Sequence, residues 1–273
     1  MGIFDGILIC TDLDGTLLKD DKTISSENRE AIEYFKREGG SFTFITGRMP
    51  YYAESAYRAV NPNVPFGCVN GGGVFDGATK EYVWMCEIGE KVLSMVECVD
   101  RQLPHVGIQV CTFEKTFFVK ENETMVTFRR ETGLPNYVCD YHDIRDPLAK
   151  IIFGSDDERE VERIEGLLRA HPMAEDFTLI RSERRLFEIL PKGMHKGLAL
   201  SKLIEHLGID PQKTVAVGDY NNDVGMLRSA RYGIAVANAC REAMEAADLV
   251  TVSNEEHAIA RIIYDIENGT IVF

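Results

Sequence analysis

Basic residues are the scarce component of this 273-residue chain: 30 Lys and Arg stand against 44 Asp and Glu, a formal net charge of −14 at pH 7. So acidic a protein repels a phosphate backbone, which excludes sequence-independent binding to nucleic acid. Long apolar runs are missing too. None reaches the roughly 18 residues that a membrane-crossing helix needs, so no membrane partner is expected. The opening segment MGIFDGILIC has no basic start ahead of an apolar run, and Gly6 stands where a myristoylation signal wants Ser or Thr. The expected location is the cytoplasm. None of the seven cysteines falls in a CxxC pair, so neither a zinc cluster nor a disulfide framework is supported and free thiols are expected. GxGxxG, the P-loop, HExxH and GxSxG are all absent. Acidity alone signals solubility and names no function.

What is present is an ordinary globular composition, 45% hydrophobic and 27% charged, over a length that suits two domains of about 150 residues each. Short apolar runs at 7–10 (ILIC), 42–45 (FTFI), 66–69 (FGCV), 214–217 (TVAV) and 232–236 (YGIAV) are bounded by turn or polar residues. Such runs suit parallel strands buried on both faces. Helical patterns separate them. One follows Ser25 and Ser26, carries Ala31, Ile32 and Phe35 at helical spacing and stops at Gly39-Gly40; others follow Pro50 and occupy 197–207, 224–230 and the stretch after Asn254. This alternation predicts a doubly wound, mostly parallel α/β core with helices on both faces. Between about 84 and 188 the pattern changes to helices mixed with paired strand-like runs, an α+β unit inserted into the core. The expected division is a discontinuous core, 1–82 and 190–273, around an inserted domain, 83–189.

Chemistry-bearing residues gather at the ends of the predicted core strands, where open α/β sheets place their sites. Asp12-Leu13-Asp14-Gly15-Thr16-Leu17 follows the first strand, and Ile45-Thr46-Gly47-Arg48 follows the second. Gly218-Asp219-Tyr220-Asn221-Asn222-Asp223 follows TVAV, and Lys196 opens a helix in Gly193-Met194-His195-Lys196-Gly197. Taken singly, each reads as readily as a solvated turn, a cap or a surface lysine. Together, and in their order along the chain with Lys196 ahead of 218–223, they resemble the four motifs of the haloacid dehalogenase superfamily. Asn70-Gly71-Gly72-Gly73 and the large insertion ahead of the Lys motif narrow the likeness to the Cof-like phosphatases, whose α/β cap is inserted between the second and third motifs.

The resemblance implies a Rossmann-like core, a cap that selects substrate, and Mg²⁺-dependent hydrolysis of small phosphate monoesters, sugar phosphates foremost. It implies Asp12 as nucleophile and Asp14 as general acid and base. It also implies a Mg²⁺ site made by the Asp12 carboxylate, the Asp14 backbone carbonyl and the Asp219 carboxylate, with Asp223 orienting a bound water or Lys196. Leu13, Thr46, Gly47, Lys196 and Asn222 fall in the phosphoryl-binding positions. Elementary electrostatics supports the metal: a carboxylate meeting a phosphate at 4 Å is opposed by about 4 kcal/mol at an effective dielectric constant near 20. In the same superfamily, transport ATPases carry Thr and phosphonate-cleaving enzymes Ala at the position of Asp14. The expected partner is a small phosphorylated metabolite, with no obligatory protein partner. A sugar phosphomutase is the alternative activity, and a non-catalytic phosphosugar sensor a third. Closure of the cap would need hinges near 77–84 and 187–193.

Overall fold

The computed structural model describes residues 2–273. Strand β1 (Leu8–Thr11) is buried at every position. Successive side chains of a strand face opposite ways, so it must be covered on both faces. Helix α1 (Ser26–Arg37) supplies part of that cover: Ser25 caps it by accepting the Asn28 N–H, and Ile32 and Phe35 are buried. Asn28 is buried as well, because its Oδ1 accepts the Ala260 N–H at 2.9 Å. Strand β2 (Ser41–Phe44) pairs in parallel with β1, and helix α2 (Glu54–Val60) follows.

Strands β3 (Phe66–Cys68), β4 (Gly73–Asp76) and β5 (Glu81–Met85) then form a separate antiparallel sheet. This corrects one expectation. The run at 66–69 meets the parallel sheet at one parallel bridge, Gly67 to Ile45, and by the stacking of Phe66 on Phe44, while its ladder is shared with β4. The cause is a tight turn at Val69–Gly71, in which Val69 and Asn70 take φ of 56° and 50°. It reverses the chain instead of carrying it over to the next parallel strand.

The inserted segment contains α3 (Leu93–Gln102), β6 (Gly107–Thr112), β7 (Thr116–Lys120), α4 (Glu123–Thr132), β8 (Leu148–Gly154), α5 (Glu158–Ala170), β9 (Phe177–Glu183) and β10 (Leu186–Pro191). Its sheet has the order β7-β6-β8-β10-β9, antiparallel throughout. One face, with Val110, Ile151, Phe153 and Ile189, packs against Val96, Val99, Ile164 and Leu168 of α3 and α5. On the alternate residues of β8 and β10, Lys150 and Glu188 form a buried ion pair of 2.8 Å.

After the insertion come α6 (Lys196–Leu207), β11 (Thr214–Gly218), α7 (Val224–Ser229), β12 (Tyr232–Ala235), α8 (Arg241–Ala246), β13 (Leu249–Val250) and α9 (Ala258–Glu267). The parallel sheet has the order β13-β12-β11-β1-β2. The chain winds one way from β1 to β2 and the other way from β11 outward. The switch in direction therefore lies between β1 and β11, the crevice where such sheets bind ligands.

Two compact units result: the chain up to Arg48 with Ala53–Met85 and His195–Phe273, and a second of Met49–Tyr52 with Cys86–Met194. Residues 49–52, assigned to the core from sequence, are thus part of the second unit. Tyr51 Oη hydrogen-bonds Thr116 Oγ1 at 2.8 Å, and the Tyr52 ring meets Phe128 edge-on with centroids 6.1 Å apart. No cysteine is disulfide-bonded. Among the described residues no helix is long and apolar enough to cross a membrane.

Candidate active site

Asp12 leaves the end of β1 at the switch point, pinned to β11 by its N–H, which donates to the Val217 carbonyl at 2.8 Å. Lys196, the first residue of α6, is 1% exposed. Its Nζ donates to Asp12 Oδ1 at 2.5 Å and to Asp223 Oδ1 at 2.6 Å. The other oxygen of Asp223 accepts the N–H groups of Asp219 and Tyr220, each at 3.0 Å. Asp219 Oδ1 accepts the Thr16 hydroxyl at 2.8 Å. One carboxylate oxygen from each of Asp12, Asp219 and Asp223 lies within 4.8 Å of the others.

Three carboxylates around one ammonium leave negative charge in excess. Burial, with Asp223 and Asp219 nearby, pushes the Asp12 carboxyl well above its ordinary range despite Lys196. Asp219 is raised to about 6 by burial and then by Asp223. Burial works against the charge on Lys196, but Asp12 and Asp223 outweigh it and hold the amine above the usual lysine value. The arrangement is a buried acid cluster short of positive charge.

Asp14 stands apart from this cluster. Its Oδ2 accepts Arg48 Nη2 at 2.8 Å and its Oδ1 accepts Lys22 Nζ at 2.9 Å. Burial would raise its pKa, but these two cations outweigh burial and hold the carboxyl below the ordinary range. Gly15 turns the chain behind it at φ +81°, where a Cβ would lie 2.6 Å from Asp219 Oδ2. Both facts require glycine. Gly15→Ala is expected to lower stability by about 1–3 kcal/mol, read as an earlier urea midpoint. An unchanged midpoint would show that the turn can relax.

Thr46 and Gly47 sit beside Asn70. The Asn70 N–H donates to the Thr46 carbonyl at 3.1 Å, and a Cβ on Gly47 would come within 2.9 Å of Asn70 Oδ1. Asn222 Nδ2 donates to the same Asn70 oxygen at 3.2 Å. Leu13 has a fully buried side chain, and its carbonyl accepts the Thr16 and Leu18 N–H groups. His195 is the residue ahead of α6, with its ring packed onto Gly225.

The structure thus brings Asp12, Lys196, Asp219 and Asp223 into direct contact, and Thr46, Gly47 and Asn222 together around Asn70. Sequence reasoning did not place Arg48, Lys22, Thr16 or Asn70 in the site. Arg48, Thr16 and Asn70 fall within the motifs at 45–48, 12–17 and 70–73. For Asn70 the signal was its residue type, since asparagine tolerates the left-handed backbone that the turn before the glycines demands.

The sequence profile of the haloacid dehalogenase-like hydrolases matches residues 9–263. The chain is 27% identical over 266 residues to the 5-amino-6-(5-phospho-D-ribitylamino)uracil phosphatase YitU of Bacillus subtilis, covering 94% of this chain and 96% of that one. It is 25% identical over 280 residues to the phosphatase YwpJ of the same organism, with coverage of 94% and 98%. A crystal structure of a haloacid dehalogenase-like hydrolase from Bacteroides thetaiotaomicron superposes with a TM-score of 0.83 at 26% identity, over 95% of this chain and 99% of that one. With its profile matched over nearly the whole length and its fold shared, the chain belongs to the haloacid dehalogenase-like hydrolases and is a hydrolase of phosphate monoesters.

Proposed function

We propose that the enzyme cleaves small phosphorylated metabolites, sugar phosphates foremost, by passing the phosphoryl group first to Asp12 and then to water. The observation that carries this reading is the Asp12–Lys196–Asp223 contact beside Asp219. Lys196 holds one Asp12 oxygen, and the other is assigned to attack phosphorus. As that bond forms, the ester P–O bond breaks and the departing alcohol oxygen takes a proton from Asp14, whose carboxyl must first leave Arg48 and Lys22 and take up a proton from solvent. Asp14 then removes a proton from the water whose oxygen attacks phosphorus, freeing inorganic phosphate and restoring the Asp12 carboxylate. Thr46, the Gly47 N–H, the Leu13 N–H, Lys196 and Asn222 hold the phosphoryl oxygens on which charge accumulates. The relative YitU is named for a substrate with phosphate on a ribityl chain, which favours sugar and sugar-alcohol phosphates for this chain.

The cluster suits a hard divalent cation. Its donors are all oxygen, and burial with mutual repulsion has already lifted Asp12 and Asp219. Asp12 and Asp219, with the Asp14 carbonyl, would hold Mg²⁺. Asp223, whose two oxygens are taken by Lys196 and two backbone N–H groups, would orient its neighbours. When bound, Mg²⁺ supplies positive charge against the phosphoryl oxygens.

Inorganic phosphate released from a panel of sugar phosphates tests the reading. Activity is expected to vanish in EDTA and return with Mg²⁺; turnover that persists without metal overturns the metal assignment. Phosphate migration on a sugar with little free phosphate would show a mutase instead. The Asp219 proton must leave before metal binds, so the apparent Mg²⁺ affinity is expected to fall about tenfold per pH unit below about 6. The same raised pKa means that metal-free protein loses stability as pH climbs from 3.8 toward about 6, and Mg²⁺ restores it. Titrations at pH 5 and pH 7 that give equal affinities would remove Asp219 from the metal site.

A further inference from the structure

The turn that follows Asp14 is held from two other strand ends. The Gly15 carbonyl accepts Asn238 Nδ2 at 2.8 Å, and the Leu18 carbonyl accepts Asn254 Nδ2 at 3.1 Å. Asn238 comes just after β12 and Asn254 just after β13. The two are joined, because the Asn254 N–H donates to Asn238 Oδ1 at 3.0 Å. That bond settles which way round the Asn238 amide lies: its oxygen must face Asn254, so its NH₂ faces Gly15. Leu18 is tied back in turn, through its N–H to the Leu13 carbonyl at 2.8 Å and through a bridge to Asp14.

We propose that Asn238 and Asn254 are positioning residues for Asp14, holding its turn so that the carboxyl meets the leaving-group oxygen. The inference rests on the acid role given to Asp14 above. Neither amide touches the reacting atoms. Gly15 has the freest backbone in the turn, and its carbonyl is the atom that Asn238 restrains. Asn238 is exposed, whereas Asn254 is 3% exposed. An exposed amide adds little to stability. Proton transfer is another matter, since a misplacement of about 1 Å can cost about a hundredfold in rate.

The test separates esters by their leaving groups. A nitrophenolate departs without a proton, whereas an alkyl alcohol needs one. In single-turnover release of the alcohol or phenol, Asn238→Ala is expected to slow an alkyl phosphate by about tenfold or more and a nitrophenyl phosphate by less than about threefold. Asn238→Asp should behave likewise, because it still accepts from Asn254 but cannot donate to Gly15. Asn254→Ala should follow the same pattern, and the exposed Asn238 pair decides the matter if that buried variant does not fold. Asp14→Asn is the reference and should show the strongest dependence on the leaving group. Equal slowing of both esters, or none, in the Asn238 variants overturns the inference while Asp14→Asn keeps its dependence. If Asp14→Asn has no such dependence, the acid role falls and the inference with it.

Discussion

Asp12→Asn is expected to lower kcat/KM for any phosphate ester by about 10⁴-fold or more, because the amide cannot form the phosphoryl bond. Loss of activity alone would be uninformative, since many changes achieve it. The second half of the expectation is that the metal-free variant melts higher than the metal-free parent at pH 7. Asp12 is buried beside two other carboxylates, and its raised pKa means that its ionised form burdens the unliganded fold. An Asn oxygen can still accept from Lys196, so the contact survives while one charge is removed. Mg²⁺ should then raise the melting temperature of the variant less than that of the parent. Phosphate release and thermal melts with and without Mg²⁺ check both halves. A variant that still turns over, or one that melts lower without metal, contradicts the role given to Asp12.

Lys196→Met is expected to cost both activity and stability. The substitution keeps much of the volume but leaves Asp12 and Asp223 facing each other with no cation between them. Removing one partner from a buried ion pair costs about 3–5 kcal/mol, which lowers the melting temperature by on the order of 10 °C. Losing a donor to the phosphoryl oxygens costs about 10²–10³ in kcat. The stability gap should narrow in acid, where Asp12 takes up a proton and no longer needs the lysine. Combined with Asp12→Asn, the two melting shifts should fail to add, as residues in contact do. Additive shifts, or a variant as stable as the parent at pH 7, would show that Lys196 is not the cluster's counter-charge.

Much of this architecture can be read before any coordinates, for a definite reason. β1, β2 and β11 are buried on both faces, so they are written as largely apolar runs, with Thr43 of β2 admitted because its hydroxyl donates to the Pro65 carbonyl. The polar residues that interrupt such runs fall at strand ends, which is where Asp12, Thr46 and Asp219 lie. A run of apolar residues does not record its neighbour, however. That is why 66–69 looked like another parallel strand until Val69 and Asn70 turned it into a hairpin. Lys22 was illegible for a similar reason. It reaches Asp14 because a turn closed by the Lys19 N–H on the Thr23 carbonyl brings it back, with Lys22 at φ 64°. Asn238 and Asn254 lie more than 200 residues from the turn they hold, and nothing in their local sequence marks the partnership.

The four-residue excursion at Met49–Tyr52 bears on how this enzyme could be rebuilt. A cassette exchange that cut only near residues 86 and 194 would strand Tyr51 and Tyr52 without Thr116 and Phe128. A transplanted insert would arrive lacking two of its own aromatic side chains. Chimaeras between relatives should therefore carry 49–52 along with the insert, and the junction would directly follow Arg48, whose guanidinium binds Asp14. The insert's tetrapeptide and the arginine that holds Asp14 are adjacent in the chain there, so an exchanged insert has to bring 49–52 with it.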